Sequence, residues 1–217
     1  YFSKFDRILA EYCMKNFITF EGGEGSGKST VIQELLDYCN QNNIDFIATR
    51  EPGGLAVCEE IRKILKSTQG LSVETQLLLF SASRNHLCQN LIKPNLDSGK
   101  IVFCDRFYDS TRVYQGYAGG MSDEDIMLVT NYAVGDVKPQ VTFFLDIDPV
   151  LAFQRKGGCD KGDVFEEAGI EFHKKVREGY YKLAEQEKDR FVVIDATLSK
   201  EEVLGRVIKV LKERNIL

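Results

Sequence analysis

The segment FEGGEGSGKST, residues 20–30, decides the fold of this chain. It begins in a predicted strand, residues 17–21, and leads into a predicted helix that starts at Thr30. Residues 22–29 satisfy the pattern G-x-x-x-x-G-K-[ST], which is typical of a phosphate-binding loop when it lies between a strand and a helix. The segment therefore predicts a site for a nucleotide polyphosphate.

This loop predicts how ATP and Mg²⁺ bind. Its glycines let backbone N–H groups turn toward the phosphates, and the N-terminus of the following helix adds partial positive charge. We expect Lys28 to bridge the β- and γ-phosphates and the Ser29 hydroxyl to bind Mg²⁺. The expected ATP-binding residues are Gly22, Gly23, Glu24, Gly25, Ser26, Gly27, Lys28, Ser29 and Thr30.

Short apolar runs alternate with amphipathic stretches along the rest of the chain. The predicted strands are residues 17–21, 45–50, 100–106, 141–148 and 190–196. The predicted helices are residues 30–40, 56–67, 72–98, 123–134, 149–156, 170–186 and 199–215. This alternation predicts an α/β fold, a five-stranded parallel sheet flanked by helices on both faces in the three-layer arrangement of P-loop NTPases, with a lid. We expect one domain over residues 17–217 and an N-terminal extension, residues 1–16, that is helical or disordered.

Composition excludes several classes of protein. The net charge of −5 argues against sequence-independent binding of nucleic acid, which needs a basic surface. The six cysteines show no CxxC pair and no metal-ligand spacing, so we expect buried or surface thiols in a reducing compartment. No apolar run is long enough to span a membrane and no leader is evident, so we expect a cytoplasmic protein without a membrane partner.

A phosphate-binding loop leaves the reaction open, because nucleotide switches, motors and small-molecule kinases share it. The guanine-reading sequence N-K-x-D of a GTP-binding switch does not occur in the chain. Six segments, in order along the chain, closely resemble the thymidylate kinase family. They are FEGGEGSGKST, TREPGG (49–54), LLLFSASRNHL (77–87), CDRFYDSTRVYQG (104–116), VTFFLDIDP (141–149) and VIDAT (193–197).

The resemblance covers nearly the whole chain from Phe17 onward and implies an activity. A thymidylate kinase transfers the γ-phosphoryl group of ATP to dTMP with Mg²⁺, which gives dTDP and ADP for dTTP synthesis. The family also implies a homodimer, formed by the helices around residues 72–98 and 122–134. Two alternatives stay open at this point: a kinase for another nucleoside monophosphate, and a nucleotide-binding protein without turnover.

The resemblance also implies a binding site for the nucleoside of dTMP. Phe80 and Arg84 lie four residues apart and so share one face of a helix. In the family the phenylalanine of this pair stacks on thymine, and the arginine donates a hydrogen bond to the carbonyl edge of the base. Pro52 is expected to form a wall of the base pocket. The segment expected to close over thymine and deoxyribose contributes Thr111, Tyr114 and Gln115, with Tyr114 placed to disfavour a 2′-hydroxyl.

Further residues are implied for the phosphates. Asp105 resembles the carboxylate that helps to hold Mg²⁺, and Arg106 resembles the clamp on the phosphate of dTMP. Arg50 resembles a second arginine that contacts this phosphate. Glu24 resembles the acidic residue near the sugar hydroxyl and the phosphates. Because the acceptor is already an anion, we expect catalysis by cations and positioning rather than by a general base.

One departure from the family concerns the lid. Some thymidylate kinases carry an arginine within the phosphate loop, but this chain has Gly25 there, so a lid over residues 155–166 is expected to supply the cation. Many bacterial relatives place an arginine after the aspartate of this segment, where this chain has Val164. The remaining candidates are Arg155, Lys156 and Lys161. We favour Arg155 as a catalytic cation because its planar fork can bind phosphate oxygens in pairs, with Lys161 second.

Overall fold

The computed structural model describes residues 15–157 and 163–217. The predicted extension over residues 1–16 therefore lies outside the described residues except for its last two. Residues 158–162 of the predicted lid lie outside them as well.

Five parallel strands form one sheet, as the sequence predicts. Their spatial order is β2-β3-β1-β4-β5. The strands are β1 Phe17–Glu21, β2 Phe46–Arg50, β3 Ile101–Asp105, β4 Val141–Asp146 and β5 Phe191–Asp195. Because all pairs are parallel, the carboxyl ends of the strands meet at one edge, with β1 at the centre. Ligands of open parallel sheets bind at this edge.

Helices connect the strands and cover both faces of the sheet. The α-helices are α1 Lys28–Gln41, α2 Ala56–Ser67, α3 Val73–Leu87, α4 Lys93–Asp97, α5 Tyr108–Thr111, α6 Asp123–Val134, α7 Pro149–Lys156, α8 Ile170–Gln186 and α9 Lys200–Glu213. A short 3-10 turn, Glu166–Ala168, precedes α8. Local sequence sets several helix starts: Ser72 caps α3, and Ser199 with Glu202 forms a capping box at α9.

Two helical predictions need correction. The single helix predicted over residues 72–98 is interrupted by a wide π-helical turn at Cys88–Ile92, so α3 and α4 are separate elements. The segment after β3, which was not predicted as a helix, is helical from Tyr108 to Ala118, because α5 continues directly into a second π-helical turn, Arg112–Ala118. Hydrophobic periodicity does not predict such turns, because a single wide turn is too short to show a period of its own.

The hydrophobic core lies on both sides of the sheet. Ile18 and Phe20 of β1 point to the side of α1 and α9, where they belong to one buried cluster with Leu35 and Val207. The neighbouring Phe17 points to the opposite side and packs in a second buried cluster under α3 and α4. Because successive side chains alternate across a strand, a strand apolar at every position is covered on both faces. The three-layer prediction is thereby confirmed.

The described cysteines are thiols without disulfide partners. Cys39, Cys58, Cys88 and Cys104 are free and buried, as expected of small apolar residues. Cys13 and Cys159 lie outside the described residues. Among the helices that the structure describes, none is long and apolar enough to cross a membrane.

Candidate active site

The phosphate-binding loop connects β1 to α1, and its backbone requires glycine at two close contacts. Gly22 has a φ of 145°, and a Cβ there would lie 2.6 Å from the carbonyl oxygen of Leu145. Gly25 has a φ of 71°, and a Cβ there would lie 2.4 Å from the carbonyl oxygen of Ala152. The second contact, with α7, gives a physical reason for the missing loop arginine, because a side chain at residue 25 would collide with backbone.

Lys28 is buried beneath this loop. Its Nζ donates to the carbonyl oxygens of Gly22 at 3.0 Å and Gly23 at 3.1 Å. Burial lowers the pKa of Lys28, and the positive charge of Arg106 lowers it further. The ammonium group is therefore held where it faces backbone oxygens that a bound phosphate could replace. Ser29 lies in the same cavity, whereas Thr30 is exposed on α1.

A cavity of about 240 Å³ opens beside the loop, at the carboxyl edge of the sheet. Every residue expected to bind dTMP lines it, together with four residues expected to act on the phosphates or the metal. These lining residues are Arg50, Pro52, Phe80, Arg84, Arg106, Thr111, Tyr114 and Gln115, with Glu24, Lys28, Ser29 and Asp105. The fold thus brings together residues that are as far as 91 positions apart in the sequence.

Arg84 lines the cavity and is only 1% exposed. Its Nε donates to Glu51 Oε2 at 2.7 Å and its Nη2 donates to Thr111 Oγ1 at 2.9 Å. Phe80, one helical turn earlier on α3, lines the same cavity. Burial raises the pKa of Glu51 to about 7, although the charge of Arg84 opposes that shift. A buried carboxylate with this single cationic partner was not predicted from the sequence.

Arg106 lines the cavity between Glu24 of the loop and Tyr114. Its φ is 66°, and its backbone N–H donates to the carbonyl oxygen of Phe20 at 2.9 Å. The guanidinium donates to Glu24 Oε1 at 2.6 Å and lies over the Tyr114 ring, 5.3 Å from its centroid. These contacts place the Arg106 cation next to the phosphate-binding loop.

A buried carboxylate at the end of β1 holds the segment that follows Arg106. Glu21 is 0% exposed and accepts hydrogen bonds from Phe107 N at 2.8 Å, Ser110 Oγ at 2.6 Å and Tyr180 Oη at 2.7 Å. Burial raises the pKa of Glu21, and the neighbouring charge of Asp109 raises it further. Glu21 thereby links the loop, α5 and α8 below the cavity.

The residues expected to bind Mg²⁺ fit that ion. Asp105 Oδ1 is buried and has no hydrogen-bond partner in the described part of the chain, and Asp105 and Ser29 line the same cavity. Residues 15–157 and 163–217 contain no group of three histidine, cysteine or acidic side chains arranged for a metal. Mg²⁺ usually takes one or two protein oxygens and completes its shell with water and phosphates. The Ser29 hydroxyl and the Asp105 carboxylate are oxygen groups of the kind that Mg²⁺ takes.

Comparisons with known proteins identify the family. The thymidylate kinase family profile matches residues 20–207. The chain belongs to the thymidylate kinase family. It is 42% identical to a thymidylate kinase of Finegoldia magna over 93% of this chain and 100% of that protein. It is also 43% identical to one of Symbiobacterium thermophilum, over 92% and 94% of the two chains. A crystal structure of thymidylate kinase from Ehrlichia chaffeensis superposes with a TM-score of 0.74 at 37% identity, covering 91% and 98% of the chains.

Within this family member, the expected lid cation lies away from the cavity. Arg155, near the end of α7, donates to the carbonyl oxygens of Ala196 at 2.7 Å and Thr197 at 3.3 Å, after β5. Arg155 is not among the residues that line the cavity. Lys161 lies outside the described residues, and the side chain of Lys156 is outside them too.

The end of the lid segment contacts the cavity through residues that were not predicted as part of the site. Asp163 pairs with Lys66 of α2 at 2.6 Å, and Val164 N donates to the Lys66 carbonyl oxygen at 3.1 Å. Phe165 lines the cavity, with its ring centroid 6.0 Å from that of Phe80. The sequence pointed to Phe165 only through its position within the predicted lid. Its ring contact, Phe80, lies on α3, far from it in the sequence.

Proposed function

We propose that dTMP binds in the cavity with its base against α3 and its phosphate toward the phosphate-binding loop, where ATP binds. As a member of the thymidylate kinase family, the chain transfers the γ-phosphoryl group of ATP to dTMP and gives dTDP and ADP. This activity is favoured over the two alternatives, another nucleoside monophosphate kinase and a protein without turnover. The observation that carries the assignment of residues is that Lys28 of the phosphate-binding loop and buried Arg84 of α3 line one cavity.

The nucleoside end is proposed to recognise thymine. Arg84 Nη1 has no hydrogen-bond partner among the described residues, whereas its other two nitrogens are already engaged. A buried donor of this kind suits the carbonyl oxygen of the base, because an unpaired buried donor is costly. Phe80 stacks on the base, Gln115 and Thr111 line its edge, and Pro52 closes one wall. Tyr114 lies where deoxyribose binds.

The phosphate end is proposed to act by charge and position. Arg106 and Arg50 hold the phosphate of dTMP, with Glu24 beside the sugar and the phosphates. During transfer the bond from the γ-phosphorus to the bridging oxygen breaks and a bond to a dTMP phosphate oxygen forms. Lys28 and the arginines stabilise the negative charge on the transferring group, and no side chain needs to remove a proton.

Mg²⁺ is the proposed cofactor. The Ser29 hydroxyl and the Asp105 carboxylate are the residues that would hold it. When bound, the ion neutralises charge on the phosphates of ATP. For the lid, Arg155 remains the proposed cation. It has to leave the carbonyl oxygens of Ala196 and Thr197 to reach a phosphate.

A second copy of the chain is the proposed partner, in the cytoplasm. The side chains of Leu78 on α3 and Leu128 on α6 line one groove and are 61% and 73% exposed. Tyr132, one turn further along α6, is 91% exposed. Apolar side chains that stand this far out on two packed helices are typical of an interface. A copy with the same two helices would cover them.

Arg84→Ala tests the orientation of dTMP. The KM for dTMP is expected to rise at least about tenfold, a loss of roughly 1.4 kcal/mol. The KM for ATP is expected to change less than about twofold, since the described contacts of Arg84 are with Glu51, Thr111 and Phe107 and with no residue of the loop. Arg206→Ala, an exposed arginine on α9, is the matched control. Equal increases in both KM values would contradict the proposed orientation.

A further inference from the structure

Glu51 is a buried carboxylate in the cavity to which the proposed reaction assigns no role. It directly follows β2, and its backbone N–H donates to the carbonyl oxygen of Asp105 at 2.9 Å, which fixes the main chain against β3. Its side chain is 3% exposed and lines the cavity. A charged side chain is rarely buried to this degree unless a partner compensates it.

The side chain of Glu51 has one described hydrogen-bond partner, which is Arg84. Oε2 accepts from Arg84 Nε at 2.7 Å. Oε1 is buried and has no hydrogen-bond partner within residues 15–157 and 163–217. The neighbouring residues have other contacts, since Arg50 pairs with Glu59 at 2.9 Å and Pro52 accepts from Arg62. Among the described residues, the Glu51 carboxylate therefore binds Arg84 alone.

Arg84 is held in one orientation by contacts on several sides. Glu51 Oε2 accepts a hydrogen bond from Arg84 Nε, and Thr111 Oγ1 accepts one from Arg84 Nη2. The guanidinium lies over the Phe107 ring, 5.5 Å from its centroid. These contacts leave Nη1 as the buried nitrogen without a partner in the described chain. The guanidinium is planar, so fixing two nitrogens fixes the direction in which the third one donates.

We propose that Glu51 is a positioning residue that holds the Arg84 guanidinium so that Nη1 faces a carbonyl oxygen of the substrate base. This inference rests on the proposed orientation of dTMP. A neutral side chain at residue 51 leaves a buried cation without its counter-ion, and the guanidinium then reorients toward other oxygens. The binding free energy of dTMP then falls through its base, whereas the binding of ATP at the phosphate-binding loop is unchanged.

Glu51→Gln tests this role, with Glu60→Gln as the matched control on the exposed side of α2. Glu51→Gln is expected to raise the KM for dTMP at least about fivefold, because a charge-assisted hydrogen bond at the recognition site is lost. The KM for ATP and kcat are expected to change less than about twofold. The control is expected to match the unmodified enzyme. A KM for dTMP that stays within about twofold for Glu51→Gln would overturn the proposal.

A double-mutant cycle separates positioning from general loss of structure. Arg84→Gln and the double variant Glu51→Gln/Arg84→Gln are expected to share the same KM for dTMP within about twofold, since Glu51 acts only through Arg84. The double variant carries a neutral amide pair, so the comparison holds even if Glu51→Gln alone fails to fold. A further rise in the double variant would overturn the proposal. If Arg84→Gln leaves the KM for dTMP unchanged, the proposed contact of Arg84 with the base is overturned together with the role of Glu51. If Arg84→Gln raises the KM for dTMP but Glu51→Gln does not, only the role of Glu51 is overturned.

Discussion

The Lys28 ammonium donates a hydrogen bond to the carbonyl oxygen of Gly22 at 3.0 Å, across the whole phosphate-binding loop. A second bond, to Gly23 at 3.1 Å, holds the side chain against the inner surface of the loop. These acceptors are neutral oxygens, so the charged oxygens of a polyphosphate compete favourably for the same donor. We propose that this donor binds the phosphates of ATP.

Lys28→Met removes this cation with little change in side-chain volume. Turnover is expected to fall by at least about a hundredfold, in line with electrostatic contributions of roughly 3 to 4 kcal/mol in such sites. Lys209→Met, an exposed lysine on α9, is the control and is expected to behave as the unmodified enzyme. Steady-state ADP release measures both. Activity above about a tenth of normal would contradict the role assigned to Lys28.

Asp105→Asn tests the proposed metal site. The amide keeps the shape of the side chain but removes the negative charge, so more Mg²⁺ is expected to be needed for half-maximal rate, by about tenfold or more. Titration of turnover against free Mg²⁺ measures the shift. Asp37→Asn, on the exposed face of α1, is the control. An unchanged Mg²⁺ dependence would remove Asp105 from the metal site.

Local sequence was sufficient to predict much of the fold. The strand at residues 17–21 and the helices at residues 56–67 and 123–134 were predicted with their observed bounds. Such elements carry their own apolar pattern and end signals. The π-helical turns at Cys88–Ile92 and Arg112–Ala118 carry no such pattern, because their geometry depends on packing against α3, α6 and α8.

The candidate site was predictable where a motif or the family resemblance named its residues, and not where contacts are tertiary. Lys28, Arg84 and Arg106 belong to segments that the resemblance covers. The ion pair of Glu51 with Arg84 joins residues 33 positions apart, and the hydrogen bond of Glu21 with Tyr180 joins residues 159 apart. Neither contact can be predicted from residue spacing, because both depend on how α3 and α8 pack on the sheet.

Arg155→Ala tests the lid cation. We expect turnover to fall at least about tenfold, a loss of roughly 1.4 kcal/mol in the transition state, with little change in the KM for dTMP. Lys174→Ala, an exposed lysine on α8, is the control. Normal turnover of Arg155→Ala with impaired Lys161→Ala would move the role to Lys161. If neither change matters, this lid does not supply the cation.

Leu128→Asp tests the proposed homodimer. A charge at this exposed position on α6 is expected to shift the chain from dimer to monomer at micromolar concentration, because a buried unpaired carboxylate opposes association. Sedimentation or light scattering after size exclusion measures the mass. Leu151→Asp, an exposed leucine on α7, is the control and is expected to stay dimeric. A monomeric unmodified chain, or a dimeric Leu128→Asp, would contradict the proposed interface.

Phosphoryl transfer to a panel of monophosphates tests the central claim most directly. ADP release from ATP is measured with dTMP, dUMP, CMP and AMP in turn, in the presence of Mg²⁺. The thymidylate kinase assignment predicts the highest kcat/KM with dTMP, with CMP and AMP at least about a hundredfold lower because their bases present an amino group where Arg84 needs a carbonyl oxygen. A preference for CMP or AMP, or no ADP release with any of the four, would contradict it.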